Sequence, residues 1–151
     1  MSRRKWTITT HITGTERGVD IVVYDTVAIM RRESTRFAKH IGEREPAFHD
    51  SMGGCHGFER IHAYDDGTET PDPLSAIIRL SAGNLTSLIV SHEVAHAAQH
   101  IYRIDHLGYE SKELAVDHFH VGNEDFAHLY GELFSAVWET LYSAGLTDVT
   151  A

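Results

Sequence analysis

Apolar and β-branched residues in the first part of the chain follow the two-residue period of strands. Residues 7–13 alternate β-branched side chains with others, and residues 19–24 return to the same composition. Gly14 and Gly18 bound a group of turn-forming residues between these two stretches. The pattern predicts a β-hairpin or a pair of strands.

The middle of the chain alternates short elements with turns. Residues 33–41 suit a short helix, residues 51–57 a loop and residues 58–64 another strand. The acidic residues 65–73 include a glycine and two prolines, so they form the clearest break in the pattern. After this break, the apolar residues of 75–81 predict a further strand.

The second half carries two amphipathic helical patterns. Residues 85–104 form the clearest helix, with Asn84 or Thr86 available as its N-cap. Its apolar positions recur at spacings of three and four and are Val90, Val94, Ala97, Ile101 and Ile104. Residues 123–143 predict a second helix that ends before Gly145. Its apolar arc consists of Phe126, Leu129, Leu133, Val137 and Leu141.

These elements predict one α+β domain over residues 1–151, in which a small, mostly N-terminal sheet packs on the first long helix. The chain has 151 residues, of which 42% are apolar, so it can bury one core but is short for two typical domains.

Its apolar runs are far shorter than the roughly 20 residues that span a bilayer. The basic start lacks the apolar stretch of a secretion signal. We therefore expect a cytoplasmic protein with no membrane partner.

Charge and cysteine content narrow the classes of function. The net charge is −9, which argues against nucleic acid as the main partner. Cys55 is the single cysteine of the sequence, so an intramolecular disulfide and a cysteine-rich zinc site are excluded. A free thiol is expected at this position.

The helix over residues 85–104 carries the sequence His92-Glu93-Val94-Ala95-His96. At about 100° per residue, the two histidines lie one turn apart on one face, where both imidazoles can reach a single metal ion. Catalytic zinc sites use three protein ligands and leave one position for water. Glu93, beside the first histidine, is predicted to be the general base and not a ligand. The apolar stripe lies on the opposite side of the helix.

Glu124 is the preferred third ligand, because it shares a helix face with His128 and lies opposite the apolar arc. His100 lies one turn beyond His96, but three consecutive ligands on one straight helix do not converge well on one ion. The alternatives for the third ligand are His106, His118, His120 and Glu132.

The segments His92-Glu93-Val94-Ala95-His96 and Asn123-Glu124-Asp125-Phe126-Ala127 resemble the zinc and third-ligand motifs of gluzincin metallopeptidases. The resemblance covers residues 75–145, and the order of elements is similar to that of short, minigluzincin-like and ImmA/IrrE-like peptidases of phages and mobile elements. It implies a zinc peptidase acting on peptides or proteins, with Glu124 as third ligand. It also implies that residues 77–82, in the strand before the active helix, bind extended substrate by edge pairing.

The sequence departs from the family at two positions. His128 stands where thermolysin-like enzymes carry an aspartate, and it can hydrogen-bond a ligand histidine or approach the substrate oxyanion, which makes it a second candidate catalytic residue. Tyr109 and Tyr130 are weak candidates for the tyrosine that stabilises the oxyanion.

Two other classes of function remain open. The first is a non-catalytic metal-binding module for protein interaction. The second is a DNA-linked protease resembling the SprT-like group, with His106 or a later histidine as third ligand.

Overall fold

The computed structural model describes residues 3–43, 50–107 and 124–147. Within these ranges the chain forms an α+β fold, as the sequence predicts. Its elements in order are β1 (Arg3–Thr10), β2 (Arg17–Tyr24), α1 (Val27–His40), β3 (Gly54–Gly57), β4 (Ile61–Ala63), β5 (Glu69–Pro71), β6 (Leu74–Ser81), α2 (Ser87–Tyr102) and α3 (Glu124–Ser143). A short 3-10 turn, Ala82–Asn84, precedes α2, and a π-helical turn, Arg103–Leu107, follows it.

The main sheet has four strands in the order β1-β2-β6-β3. β1 pairs antiparallel with β2, which confirms the predicted hairpin, and β2 pairs parallel with β6. β3 pairs antiparallel with the other side of β6, with Cys55 opposite Ile78. β6 is therefore an interior strand, and β1 and β3 are the two edges of this sheet.

Helices cover both faces of the sheet. On one face, Ile21 of β2 and Ile78 of β6 pack with α2 and α3 in the larger buried cluster. On the other face, Val22 and Tyr24 of β2 pack with Met30 of α1. The molecule is thus built in three layers, with most of its core between the sheet and the pair α2 and α3.

The two long helices follow their predicted patterns. α2 begins after Thr86, whose side chain accepts a hydrogen bond from the Ile89 amide at 3.2 Å and so caps the helix. Four of the five stripe residues on α2 and four of the five arc residues on α3 are buried, Ile104 and Phe126 being half-buried. Gly145, two residues after the end of α3, has a φ of 74°, the left-handed conformation that glycine favours after a helix. No helix in the described ranges is long and apolar enough to cross a bilayer.

Three predicted elements differ from the structure. Residues 51–57 are not simply a loop, because β3 occupies Gly54–Gly57 and is stabilised by pairing with β6. The first helix begins at Val27 instead of residue 33, because Thr26 caps it through a hydrogen bond from the Ile29 amide. The strand expected over residues 58–64 is reduced to β4, which pairs with β5 in a separate two-stranded sheet.

Candidate metal centre

His92 and His96 form a close pair on the exposed side of α2. Their Nε2 atoms are 3.2 Å apart, and their rings meet edge-on with centroids separated by 4.8 Å. Two nitrogen ligands at zinc distances of about 2.0–2.1 Å and a tetrahedral angle lie about 3.3 Å from each other. The pair therefore already has the separation that one tetrahedral ion requires.

The electrostatic surroundings favour the neutral form of His96. Burial, followed by the neighbouring His92, lowers the pKa of its imidazole. Neutral imidazole is the form that binds a metal ion. The His92 side chain is 64% exposed, so an ion can reach the pair from solvent.

Glu93, the neighbour of His92 on α2, is only 6% exposed. Its Oε1 is 3.9 Å from His92 Nε2. Burial raises the pKa of the Glu93 carboxyl, and His92 partly opposes this. A carboxylate with a raised pKa holds a proton more readily near neutral pH, which is the property required of a general base.

The segment before β3 approaches Glu93 closely. A Cβ atom added at Gly53 would lie 3.0 Å from Glu93 Cγ and 3.2 Å from its Oε1. Contacts of this length are tighter than nine in ten real Cβ contacts, so a side chain at residue 53 would require the Glu93 side chain to shift by a few tenths of an ångström.

These groups line a cavity of about 420 Å³. One wall is α2, and the other is β3 with the residues before it. The lining residues are Ser51, Gly53, Gly54, Cys55, Gly57, His92, Glu93 and His96. The sequence identified the α2 wall and missed the β3 wall, although three glycines between residues 53 and 57 are a signal of close approach between backbone and another group.

Cys55 is a free, half-buried thiol in this wall, as expected from its being the single cysteine. Burial, followed by the Glu93 carboxylate, raises the pKa of the Cys55 thiol, and Arg79 opposes this. The thiol is therefore protonated at neutral pH, and a protonated thiol is a poor nucleophile and a poor metal ligand.

His100 has a structural role. Its Nε2 lies 3.1 Å from the Phe58 carbonyl oxygen, and its ring covers Gly57, where an added Cβ would be 2.3 Å from the ring. This contact directs the imidazole toward the strand and supports the expectation that His100 is not a ligand.

Glu124 and His128 lie in the first turns of α3. Their side chains are 86% and 69% exposed, and Glu124 Oε2 is 3.9 Å from His128 Nε2. Across residues 3–43, 50–107 and 124–147, no three His, Cys, Asp or Glu side chains are arranged to hold a metal ion. The structure thus brings His92, His96 and Glu93 together but does not add Glu124 to them.

The structure also places two of the alternative ligands. Glu132 accepts a hydrogen bond from Thr10 at the end of β1. His106 packs against the Tyr102 ring, with centroids 4.8 Å apart. His118, His120 and the oxyanion candidate Tyr109 lie outside the described residues.

Tyr130, the other oxyanion candidate, is partly buried against the core. Its hydroxyl lies 3.5 Å from the carbonyl oxygen of Ser91, the residue before His92. Tyr130 therefore lies beside the start of the HExxH segment of α2.

The prediction that residues 77–82 bind substrate by edge pairing is wrong for residues 77–79. β6 lies between β2 and β3, and β3 pairs with residues 76–79 on the side away from β2. The edge beside the cavity belongs to β3.

Comparisons of this chain with protein-family models, with curated proteins and with solved structures find no match.

Proposed function

We propose that this chain is a zinc-dependent peptidase of the HExxH type, with His92 and His96 as metal ligands and Glu93 as general base. The observation that carries the proposal is the 3.2 Å separation of the two Nε2 atoms, with the buried Glu93 carboxylate 3.9 Å from one of them. A structural pair of surface histidines has no need of a carboxylate kept from solvent beside it.

The residues support a hydrolytic mechanism. Zinc, when bound, supplies Lewis acidity that polarises the scissile carbonyl and makes a water molecule more acidic. Glu93 takes a proton from the attacking water and delivers it to the nitrogen of the leaving amine as the C–N bond breaks. Burial of Glu93 assists the first transfer by strengthening its hold on the proton.

Glu124 is our proposed third ligand, and His128, one turn later on α3, is the proposed neighbour of the ligands or of the oxyanion. The support is that α3 packs against α2, and that the Tyr130 hydroxyl of α3 reaches the Ser91 carbonyl. With Glu124 in this role, the sheet, the HExxH helix and the glutamate-bearing helix correspond to a short zincin-like fold of the gluzincin kind.

We further propose that substrate is an extended peptide or protein segment that pairs with the outer edge of β3, which no strand of residues 3–43, 50–107 and 124–147 occupies. Gly54, Cys55 and Gly57 of β3 line the cavity together with His92. Main-chain pairing at an edge holds a peptide without regard to its side chains. A peptide on β3 would pass over the histidine pair, and the single free thiol fits action in the cytoplasm.

Metal analysis tests the ligands. The purified protein is expected to hold about one zinc per chain, as one catalytic centre requires, and a His92→Ala, His96→Ala double variant to hold none. His11→Ala is the matched control, because His11 is 71% exposed and lies outside the cavity. Equal zinc in the double variant and the parent would refute the site.

Glu93→Gln separates the base from the ligands. This variant is expected to keep its zinc and to lose peptide hydrolysis by about 10²-fold or more, the usual contribution of a general base. Glu124→Ala is expected to weaken zinc binding instead. If Glu93→Gln cleaves peptides as fast as the parent, the catalytic role is wrong.

A second function is a non-catalytic module for protein interaction on the same fold. The observation in its favour is the absence of a three-donor metal group from the described parts of the chain. On this proposal Glu93→Gln changes no activity, because the parent protein hydrolyses no peptide in the presence of zinc.

A further inference from the structure

The edge of the main sheet opposite the cavity is formed by β1. This strand is eight residues long, and β2 pairs along its whole length on the inner side. Among the described residues, no strand pairs with its outer side. An edge of this length presents a row of main-chain donors and acceptors that a further strand can use.

A groove of about 600 Å³ runs beside this edge, between β1 and α3. Its lining residues are Arg4, Trp6, Ala136, Glu139, Thr140, Ser143 and Ala144. Trp6 and Ile8, on the same side of β1, are only partly buried against the core. A strand added to β1 would place its own side chains over this groove and complete the burial of both residues.

We propose that β1 pairs antiparallel with β1 of a second copy of this chain. The two four-stranded sheets then form one continuous eight-stranded sheet, with the twofold axis at Trp6. The association is isologous, because each copy contributes the same strand and the same groove.

The faces of β1 restrict the register of this pairing. Residues that lie directly opposite each other in an antiparallel pair face the same side of the sheet, as Trp6 and Ile21 do within the chain. Even-numbered residues of β1 must therefore oppose even-numbered residues of the second copy. With the axis at Trp6, the opposing pairs are Trp6 with Trp6, Arg4 with Ile8, Lys5 with Thr7, and Arg3 with Thr9.

The charges of β1 suit this register. Its three cations, Arg3, Arg4 and Lys5, lie in the first half of the strand, so antiparallel pairing sets them against threonine and isoleucine and never against each other. Cations on an edge strand usually oppose association with other strands. In the proposed dimer, the twofold axis places the three cations of one copy away from the three cations of the other.

The flank of α3 supplies the opposite charge. The incoming Arg4 lies opposite Ile8, which is between Trp6 and Thr10 on the same face of β1. Glu139 lines the groove at Trp6, and Glu132 accepts a hydrogen bond from Thr10. Within each copy, Arg4 Nη1 donates to the Ala144 carbonyl oxygen at 3.2 Å and the guanidinium lies over Trp6, so the arginine stands beside the axis of the proposed dimer. Each copy thus brings one arginine to a flank that carries the exposed carboxylates of Glu132 and Glu139, and this charge complementarity favours a second copy over an unrelated peptide.

Sedimentation or light scattering of the purified protein at about 100 μM tests the proposal, because an association of micromolar affinity is populated at that concentration. We expect a dimer. Thr9→Lys should weaken it by about tenfold or more, because symmetry creates two like-charge pairs with Arg3. The double variant Arg3→Glu, Thr9→Lys should restore it through two opposite-charge pairs. Thr15→Lys makes the same change of charge at an exposed residue outside β1 and should leave the dimer intact.

Far-UV circular dichroism shows whether each variant is folded, since Arg3 and Thr9 are exposed and neither belongs to the core. A monomeric parent protein overturns the proposal, and so does a dimer that Thr9→Lys leaves unchanged. Neither result depends on zinc or on peptide hydrolysis.

Discussion

At the residue scale, the position of the proposed general base depends on Gly53. The three atoms nearest to a methyl group there belong to two side chains of α2, Glu93 at 3.0 and 3.2 Å and Ile89 at 3.3 Å, and none belongs to His92 or His96. The pairing of His92 and His96 is set by the helix alone. Residue 53 is therefore a place where the base and the metal site can be separated experimentally.

Gly53→Ala is expected to leave zinc content unchanged and to reduce peptide hydrolysis by about 10- to 100-fold, because the displaced carboxylate loses its alignment with the attacking water. Gly83→Ala is the matched control, since no atom lies within 4 Å of a Cβ at that glycine. Equal activity in the two variants would contradict the role assigned to Gly53.

His56 is a second residue with a clear electrostatic signature. It lies on β3 and is 3% exposed, and its Nδ1 is 3.3 Å from Arg79 Nη1. Burial, followed by the Arg79 charge, lowers the pKa of His56 from 6.5 to about 4. Glu43 Oε2 lies 3.8 Å from its other ring nitrogen.

This shift predicts the pH dependence of stability. Between pH 6.5 and 4 the unfolded chain binds a proton at His56 that the folded chain does not. The contribution of His56 to the free energy of unfolding should therefore be complete above pH 6.5. Below that pH, the free energy of unfolding should fall by at most about 1.4 kcal/mol per pH unit because of this residue. Urea unfolding over this range measures it. The fall should be shallower in His56→Gln but not in His62→Gln, whose side chain is 57% exposed in the parent. Identical slopes in all three proteins would show that His56 does not carry the effect.

At the element scale, α2 and α3 could be predicted from sequence because each is long and repeats its apolar positions over several turns. Val90, Val94, Ala97 and Ile101 recur at spacings of four, three and four, and all four are buried. A local pattern of this kind reports a local structure, so the HExxH face could be placed correctly without knowledge of the rest of the fold.

β3 could not be predicted in the same way. It has four residues and begins and ends with glycine, so it offers almost no apolar alternation. Its strand conformation comes from pairing with β6, whose partner residues lie 19 to 25 positions later along the chain. The error about the substrate edge has the same cause, because the local sequence of β6 does not reveal that β3 covers its outer side.

α3 holds the proposed third ligand, and its attachment to the core can be tested. Leu133 is 1% exposed in the cluster between sheet and helices, so Leu133→Ala should lower the free energy of unfolding by about 2–5 kcal/mol. Leu88→Ala removes the same atoms from a side chain that is 76% exposed and should cost far less. Comparable losses in the two variants would mean that α3 does not pack as described.

At the scale of the whole molecule, the two edge strands of the main sheet have different proposed roles. β3 forms the wall of the cavity, whereas β1 carries the proposed dimer contact, and two strands lie between them. In a dimer joined through β1, both cavities would face outward and remain open to large substrates.

The cavity is also a composite of two stretches of chain. Residues 51–57 provide one wall and residues 92–96 the other, and the exposed hairpin turn at Asp66 and Gly67 separates them in sequence. A fragment that starts after this turn retains the entire HExxH sequence but has neither β3 nor Gly53. Cleavage there would divide the protein into two halves of which neither contains a whole centre, so hydrolysis would depend on their complementation and would report directly on reassembly of the sheet.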